Sequence, residues 1–418
     1  VNMQLELFED EGTAEIALED IFEAYFDCRK HKRKTVNALA FEADYETRLI
    51  ELWKEINAGT YQPGRSVAFI VNKPVKREVF AADFRDRIVH HLIIGKLNPL
   101  FEQYFISDSY SCREGKGVQY GVERVASFIR DCSKDYTRDC YILKMDIQSF
   151  FMSIDKPLLF RLLQKFIVSR YGGKDKNRLL ELVYKTIINC PEKNCQIKGA
   201  ISNWEGLPRS KSLFTTGKDR GLPIGNLTSQ IFANFYLDFF DKYVKDNCGI
   251  DYYGRYVDDF VIIHHDKHYL LKLQKNLCSY LTARLHLRLH PRKVYLQHYS
   301  KGVKFIGAVI KPGRIYIGNR TKGNLYEKIV CCNKKITDCP AENRKTAVDL
   351  QASINSYLGF MIHYKTFKIR QKMLNGYLLP LWHKYLTAAE NAAKVSLKKI
   401  YRPLTVKIKK LKRRQYRN

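Results

Sequence analysis

Tyr256-Val257-Asp258-Asp259 sets two adjacent carboxylates between a strand-like run, Asp251–Tyr256, and an apolar run, Phe260–Ile263. A tight turn between two strands can hold such side chains out toward a divalent cation, as phosphoryl-transfer sites do when they gather metal ions around a triphosphate. An acidic dipeptide is also an ordinary turn, so the tetrapeptide needs company. A third acid, Asp146, follows Tyr141–Met145, where alternation over Cys140–Asp146 predicts a buried strand. A strand ending in Asp beside a hairpin of the same sheet would unite three acids from two distant segments. That set suits a pair of Mg²⁺ ions, and an all-oxygen site also accepts Mn²⁺. Read alone, Asp146 is a helix cap or turn residue. Between the two acidic segments lies Gly221-Leu222-Pro223-Ile224-Gly225-Asn226-Leu227-Thr228-Ser229-Gln230. Glycine in that loop would let the backbone approach a base pair closely.

The spacing of apolar residues predicts the elements that must position these groups. Leu5–Arg29 reads as one acidic amphipathic helix, and 36–58 as a second helical stretch. Tyr61–Val71 reads as extended structure broken at Pro63-Gly64. A helix-like run from Asp83 to Leu97 carries Arg85, Asp86, Arg87, His90 and His91 on its polar side. The segment 187–220 is poorly periodic and rich in Lys, Asn, Gly and Ser, a surface excursion. Gln230–Val244 and Leu270–Leu285 read as helices, Val303–Ile310 and Arg314–Ile317 as paired strands around Pro312-Gly313, and the remainder from Lys322 as helical. Strands interleaved with long helices make the fold α+β, not a doubly wound sheet.

The 418 residues, 45% hydrophobic, suffice for two or three globular domains. Lys and Arg number 72 against 43 Asp and Glu, a net charge of +29 that favours a polyanionic partner. Residues 1–28 hold nine acidic and no basic side chains, whereas Lys394–Asn418 holds eleven basic and no acidic ones. Eleven scattered cysteines and the absence of a signal-peptide pattern predict reduced thiols in a cytoplasmic protein. Cys190 and Cys195 leave a zinc site open beside the plainer reading of incidental thiols. No apolar run approaches the roughly 18 residues that span a membrane.

In order, Asp146, Gly225-x-x-x-Ser229-Gln230, Tyr256-x-Asp-Asp, Lys293 and Phe305-Ile306-Gly307 closely resemble the motif series of reverse transcriptases. The resemblance implies a right-hand polymerase. Residues 1–60 would form an N-terminal helical segment, 61–139 with part of 160–220 the fingers, 140–310 a palm of antiparallel sheet and helices, 311–393 a helical thumb, and 394–418 a basic tail gripping RNA phosphates. It further implies that Asp146 and Asp258 hold the metals with the Ile147 carbonyl, and that Asp259 is a nearby, less direct catalytic acid. Phe151 would be the steric gate under the incoming sugar, selecting deoxynucleotides. Arg77 would clamp the triphosphate, with Lys73 and Lys76 as weaker phosphate contacts, and Lys293 would protonate or contact the leaving pyrophosphate. Ser109–Gly117 is similar to a template-contacting finger segment in which Arg113 and Lys116 meet template phosphates. Tyr256 would lie against primer and template, and Phe305 and Gly307 would form the primer grip.

Most reverse transcriptases carry Gln before the loop's glycine and Pro at its end, where this chain has Ile224 and Gln230. In that respect it resembles the reverse transcriptases of diversity-generating retroelements. Losing the Gln removes a polar tether to the incoming nucleotide, and a looser pocket discriminates less. The resemblance implies error-prone cDNA synthesis at template adenines from a template-repeat RNA, giving a cDNA/RNA hybrid. It also implies a small, basic, oligomeric accessory protein, for which the acidic first helix is a docking face. The segment after the thumb lacks the acids of an RNase H domain and the Cys/His pattern of a nuclease, so RNA degradation and target cutting would fall to other proteins. Retron-type or intron-type enzymes, including antiviral relatives, and a non-catalytic RNA-binding scaffold remain alternatives. A viral RNA-dependent RNA polymerase would carry a polar residue at 151.

Overall fold

The computed structural model describes residues 14–30, 36–72, 75–338 and 343–401. Leu5–Thr13 of the expected first helix, Lys73 and the basic run from Arg402 onward lie outside the described residues.

The chain divides into two compact units, 1–297 and 298–418. The first opens with helices α1 (Leu18–Arg29), α2 (Val36–Glu42) and α3 (Tyr45–Asn57). The expected helix over 36–58 is thus two, parted by Ala43-Asp44. A small sheet of order β2-β1-β4 follows: β1 (Ser66–Val71) pairs antiparallel with β2 (Arg77–Ala81) and parallel with β4 (Cys195–Ile197). Helix α4 (Phe84–Tyr104) begins where the Asp83 carboxylate accepts from the Arg85 N–H (3.0 Å), satisfying a free amide of the first turn. Helix α5 (Val118–Cys132) leads into β3 (Tyr141–Asp146). After β3 come the short α6 (Phe150–Ser153), then α7 (Lys156–Arg170), capped by Asp155 on the Leu158 N–H (2.9 Å), and α8 (Lys176–Ile188).

The central sheet has order β5-β6-β3-β7, with β5 (Tyr253–Tyr256), β6 (Asp259–His264) and β7 (Tyr295–His298). Helix α9 (Leu227–Lys242) is buried on almost every face and meets the sheet edge-to-face through Phe240 and Phe260, centroids 5.1 Å apart. Helix α10 (Lys267–Leu285) stacks Tyr280 on Tyr243 at 3.9 Å. One hydrophobic core runs through the sheet and through these helices other than α5, from Ile21 and Leu92 to Phe235, Phe260 and Leu281.

The excursion between β4 and α9 is fastened rather than loose. Glu78 of β2, 1% exposed, accepts from the Trp204 indole (2.7 Å), the Ser212 hydroxyl (2.7 Å) and the Leu213 N–H (2.6 Å). Three donors offset the cost of burying its charge.

The second unit carries a three-stranded sheet, β8 (Val303–Phe305), β9 (Ala308–Lys311) and β10 (Arg314–Ile317), and the helices α11 (Asn319–Asp338), α12 (Asn343–Met361) and α13 (Phe367–Gln371). The tail of this unit departs from an all-helical reading. Leu386–Ala388 (β11) and Val395–Leu397 (β12) form an antiparallel hairpin, tied to α12 where Asn355 bonds both the N–H (2.7 Å) and the carbonyl (2.7 Å) of Val395.

Candidate active site

The acids meet where β3 ends. In the β3–β6 register Asp146 lies opposite Asp259, and in the hairpin Tyr256 lies opposite Asp259, which leaves Val257 and Asp258 as the turn. Val257 has φ +56°, a left-handed conformation that costs a β-branched residue on the order of 1–3 kcal/mol. The Ile147 N–H donates to the Asp258 carbonyl (3.2 Å), while on the other side the Asp146 carbonyl accepts from the His290 N–H (2.8 Å). In extended backbone a residue's N–H and C=O point the same way, so the Ile147 carbonyl is directed toward the hairpin.

Lysines neutralise two of the three acids. The Lys293 ammonium lies 2.9 Å from both oxygens of Asp146, and that of Lys144 lies 2.9 Å from Asp259 Oδ1. Asp258 alone of the three has no paired cation among the described residues. Burial, and next the charge of Asp146, push its pKa up to about 6. Burial also lifts Asp259 to about 6, against the opposing pull of Lys144.

Among the described residues no group of three or more His, Cys, Asp or Glu side chains is placed to hold a metal ion. Asp259 is engaged by Lys144, which leaves Asp146, Asp258 and the Ile147 carbonyl as a smaller set of donors; among the described residues Cys190 and Cys195 gather no third ligand. The smaller set still fits Mg²⁺, which is held by one or two carboxylates plus substrate phosphates rather than by an all-protein cage. Asp146, Asp258 and the Ile147 carbonyl supply hard oxygens, and the raised pKa of Asp258 reports a charge that a cation would relieve.

Two of the residues expected around the nucleotide, Phe151 and Ile224, share one apolar cluster. Phe151 is half-buried, backed edge-to-face at 5.5 Å by the buried Phe150, and its carbonyl accepts from the Leu222 N–H (2.8 Å). Ile224 packs against a cluster of Ala68, Phe80, Met152 and Leu213, and its carbonyl accepts from the Phe80 N–H (2.9 Å). Gly225 has φ +117°, and a Cβ there would stand 2.7 Å from Val79 Cγ1, so only glycine fits the loop against β2. Gln230 is exposed and accepts from the Cys112 thiol (3.2 Å). Burial and then Cys112 raise the Tyr256 phenol, opposed by Ser111 and by Arg77, which places exposed Arg77 near the hairpin. Next to Gln148 and Ser149, a cavity of about 960 Å³ is lined by Arg209, Arg220 and Arg288 and by several hydroxyls.

Arg113 departs from its expected role. Its side chain is 4% exposed, and its guanidinium is bound to the Glu102 carboxylate (2.9 Å) and to the carbonyls of Ile106 (2.6 Å) and Ser109 (3.2 Å). It braces the 102–113 loop instead of facing a phosphate. The half-buried Lys116 donates to the Ser107 carbonyl, and burial holds its pKa below the ordinary lysine value. Lys76 donates to the Glu205 carbonyl. Phe305 and Gly307 belong to the second unit, where Phe305 is buried and the Gly307 carbonyl accepts from the Gly318 N–H (2.8 Å). Sequence reasoning missed Lys144, Glu78 and Arg255; each is a charge inside an apolar strand, the one signal that marks it for a buried partner.

Residues 76–310 match the profile of the family described as reverse transcriptase (RNA-dependent DNA polymerase). Protein YkfC of Escherichia coli (strain K12) is 25% identical over 306 residues, 65% of this chain and 73% of that protein. Similar solved structures include apo telomerase from Candida tropicalis (TM-score 0.46, 13% identity, 75% of this chain and 60% of that one). Another is telomerase from Candida albicans with a fragment of telomeric RNA (TM-score 0.44, 12% identity, 80% and 60%). This chain spans 60% of each telomerase chain. The α+β fold and the family match agree: the chain belongs to the reverse transcriptase family. No helix among the described residues is long and apolar enough to cross a membrane.

Proposed function

We propose that the chain copies RNA into DNA, and that it does so with low fidelity opposite template adenines, as the polymerase of a diversity-generating retroelement. The β3–β6 register, which sets Asp146 beside the hairpin turn bearing Asp258, is the observation that most supports the polymerase reading. Asp146, Asp258 and the Ile147 carbonyl would hold Mg²⁺ or Mn²⁺. Bound there, such ions lower the pKa of a primer 3′-hydroxyl and neutralise charge on the triphosphate. Lys293, already at Asp146, supplies positive charge or a proton to the departing pyrophosphate. Arg77 offers a guanidinium fork to phosphate oxygens. Phe151, backed by Phe150, cannot withdraw from a 2′-hydroxyl, so deoxynucleotides are preferred.

Ile224 supports the error-prone reading. Its aliphatic side chain turns into the apolar cluster and offers the nucleotide no polar tether, and weaker differential binding of right and wrong pairs lowers discrimination. The template is a template-repeat RNA and the product a cDNA/RNA hybrid. For a basic accessory protein, α1 presents Glu19 and Glu23, since Asp20 and Asp27 are paired with Lys96 and Lys30 (each 2.5 Å). The test is extension of a DNA primer on defined RNA with all four deoxynucleotides, with and without the accessory protein, scored by template base. Errors concentrated opposite adenine, reduced in Ile224→Gln, are expected. Uniformly accurate synthesis overturns the diversification role, and no synthesis under any condition overturns the polymerase reading.

A further inference from the structure

Beneath the acidic turn lies a guanidinium that the chemistry above does not use. Arg255, 1% exposed, sits in β5 two residues before Val257. Its Nε and Nη2 bond the two oxygens of Asp241 at 2.7 and 2.6 Å. Asp241 is itself fully buried on α9 and also accepts from the Tyr253 hydroxyl (2.5 Å). The remaining donors reach further. Nη1 bonds the Val257 carbonyl (2.9 Å) and Asn234 Oδ1 (3.3 Å), and Nη2 bonds the Ser109 hydroxyl and the Asn234 carbonyl (3.2 and 3.3 Å).

One planar group therefore joins α9, the turn that carries Asp258, and the 108–112 segment. That segment is joined to β5 by a single parallel bridge, Ser109 beside Arg255. The Arg255 N–H donates to the Asp108 carbonyl and the Tyr110 N–H to the Arg255 carbonyl (both 2.9 Å). Gly254 makes this approach possible, since a Cβ there would stand 2.3 Å from the Tyr110 hydroxyl. The Asn234 amide also donates to the Ser111 carbonyl (2.7 Å). Val257 holds a strained backbone, and such a conformation persists only where its surroundings over-determine it. Among the described residues, the Arg255 guanidinium supplies the hydrogen bond to the Val257 carbonyl, the acceptor adjoining Asp258.

We propose that Arg255 is a positioning residue that fixes the Val257-Asp258 turn for metal-dependent catalysis and ties its placement to the Ser109–Cys112 segment. The proposal rests on the polymerase reading for its catalytic part. Lysine at 255 keeps the charge opposite Asp241 but lacks the fork that reaches Val257 and Ser109 together. A turn displaced by a fraction of an ångström loses rate in the chemical step more than in nucleotide binding.

The experiment compares full-length wild type, Arg255→Lys and Ser109→Ala in three measurements: thermal unfolding, single-nucleotide primer extension, and Mn²⁺ binding followed by electron paramagnetic resonance. In Arg255→Lys, kcat per folded molecule is expected to fall about tenfold or more with KM for the nucleotide within about twofold, and Mn²⁺ to bind several-fold more weakly. Ser109→Ala, which removes a single hydrogen bond, is expected to lower kcat by about threefold at an unchanged melting temperature. Wild-type kcat and Mn²⁺ affinity in folded Arg255→Lys would overturn the proposal, as would activity lost only in proportion to the unfolded fraction. Where Arg255→Lys does not fold, Ser109→Ala decides, and equality with wild type overturns it. A wild type that binds Mn²⁺ but extends no primer sinks the polymerase reading while the Mn²⁺ comparison still judges Arg255. A wild type that binds no Mn²⁺ overturns both.

Discussion

Below the hairpin, Arg255 and Asp241 lie 2.6 Å apart with side chains 1% and 0% exposed. At its tip, Lys293 and Asp146 lie 2.9 Å apart with side chains 48% and 15% exposed. The lower pair is sealed, every donor of its fork has an acceptor, and removing one partner would strand a buried charge. The upper pair is within reach of solvent, and among the described residues the lysine makes no hydrogen bond beyond Asp146, so phosphate oxygens or a cation can take the place of either partner. The same kind of contact serves as a permanent fixture in one place and an exchangeable one in the other, and burial decides which.

The strongest way to break this contrast is at the acid between the two pairs. Asp258→Asn is expected to lower primer extension by on the order of 10³-fold, because charge stabilisation in the chemical step is lost, with the melting temperature maintained or raised. Asp241→Ala should act oppositely. It leaves Arg255 buried and unpaired, and urea unfolding should show a loss of about 3–5 kcal/mol. Lys293→Ala should lower kcat by on the order of 10²-fold while changing stability by no more than about 1 kcal/mol, as expected of a solvent-reachable pair; an equal loss of stability at 241 and 293 would erase the distinction.

The smallest effect is on pH dependence. Asp258 and Asp259 are raised from 3.8 to about 6, so the folded chain holds protons that the unfolded chain releases between these values. Their contribution to stability is complete below the unfolded pKa and is lost as pH rises through about 6. Without divalent ions the melting temperature should therefore fall over that window, and less steeply in Asp258→Asn. Buried Asp86 and Asp238 are raised to about 6 as well, so the difference between wild type and variant is the informative quantity. Millimolar Mg²⁺ should raise the wild-type melting temperature near pH 7.5 by binding the folded state.

The tip of the hairpin was legible in the sequence and its underside was not. Asp146 and Asp258 stand out because each closes a run of alternating or apolar residues, and β-strand alternation survives in sequence. Arg255 follows Tyr253 on the same face of β5, where an apolar residue is the default, and its partner Asp241 is fourteen residues away on a different element. Periodicity cannot join two such charges. The loop brace of Arg113 is hidden for another reason: the resemblance of Ser109–Gly117 to a template-contacting segment implies a phosphate contact, whereas Glu102 and three carbonyls claim the guanidinium. The 386–397 hairpin was missed because its strands are three residues each, too short to establish a period against the helical pattern before them.

Glu78 bears on how this chain tolerates change. Its two oxygens gather Trp204, Ser212 and Leu213, while Gly206 and Gly217, whose Cα positions face open space, lie clear of those fasteners. The excursion is a patch stitched at fixed points, with Gly206 turned to open space between them. A short peptide tag inserted at Gly206, where open space adjoins the chain, is therefore expected to leave Phe151 and Ile224 undisturbed, and Glu78 is the stitch that such freedom depends on.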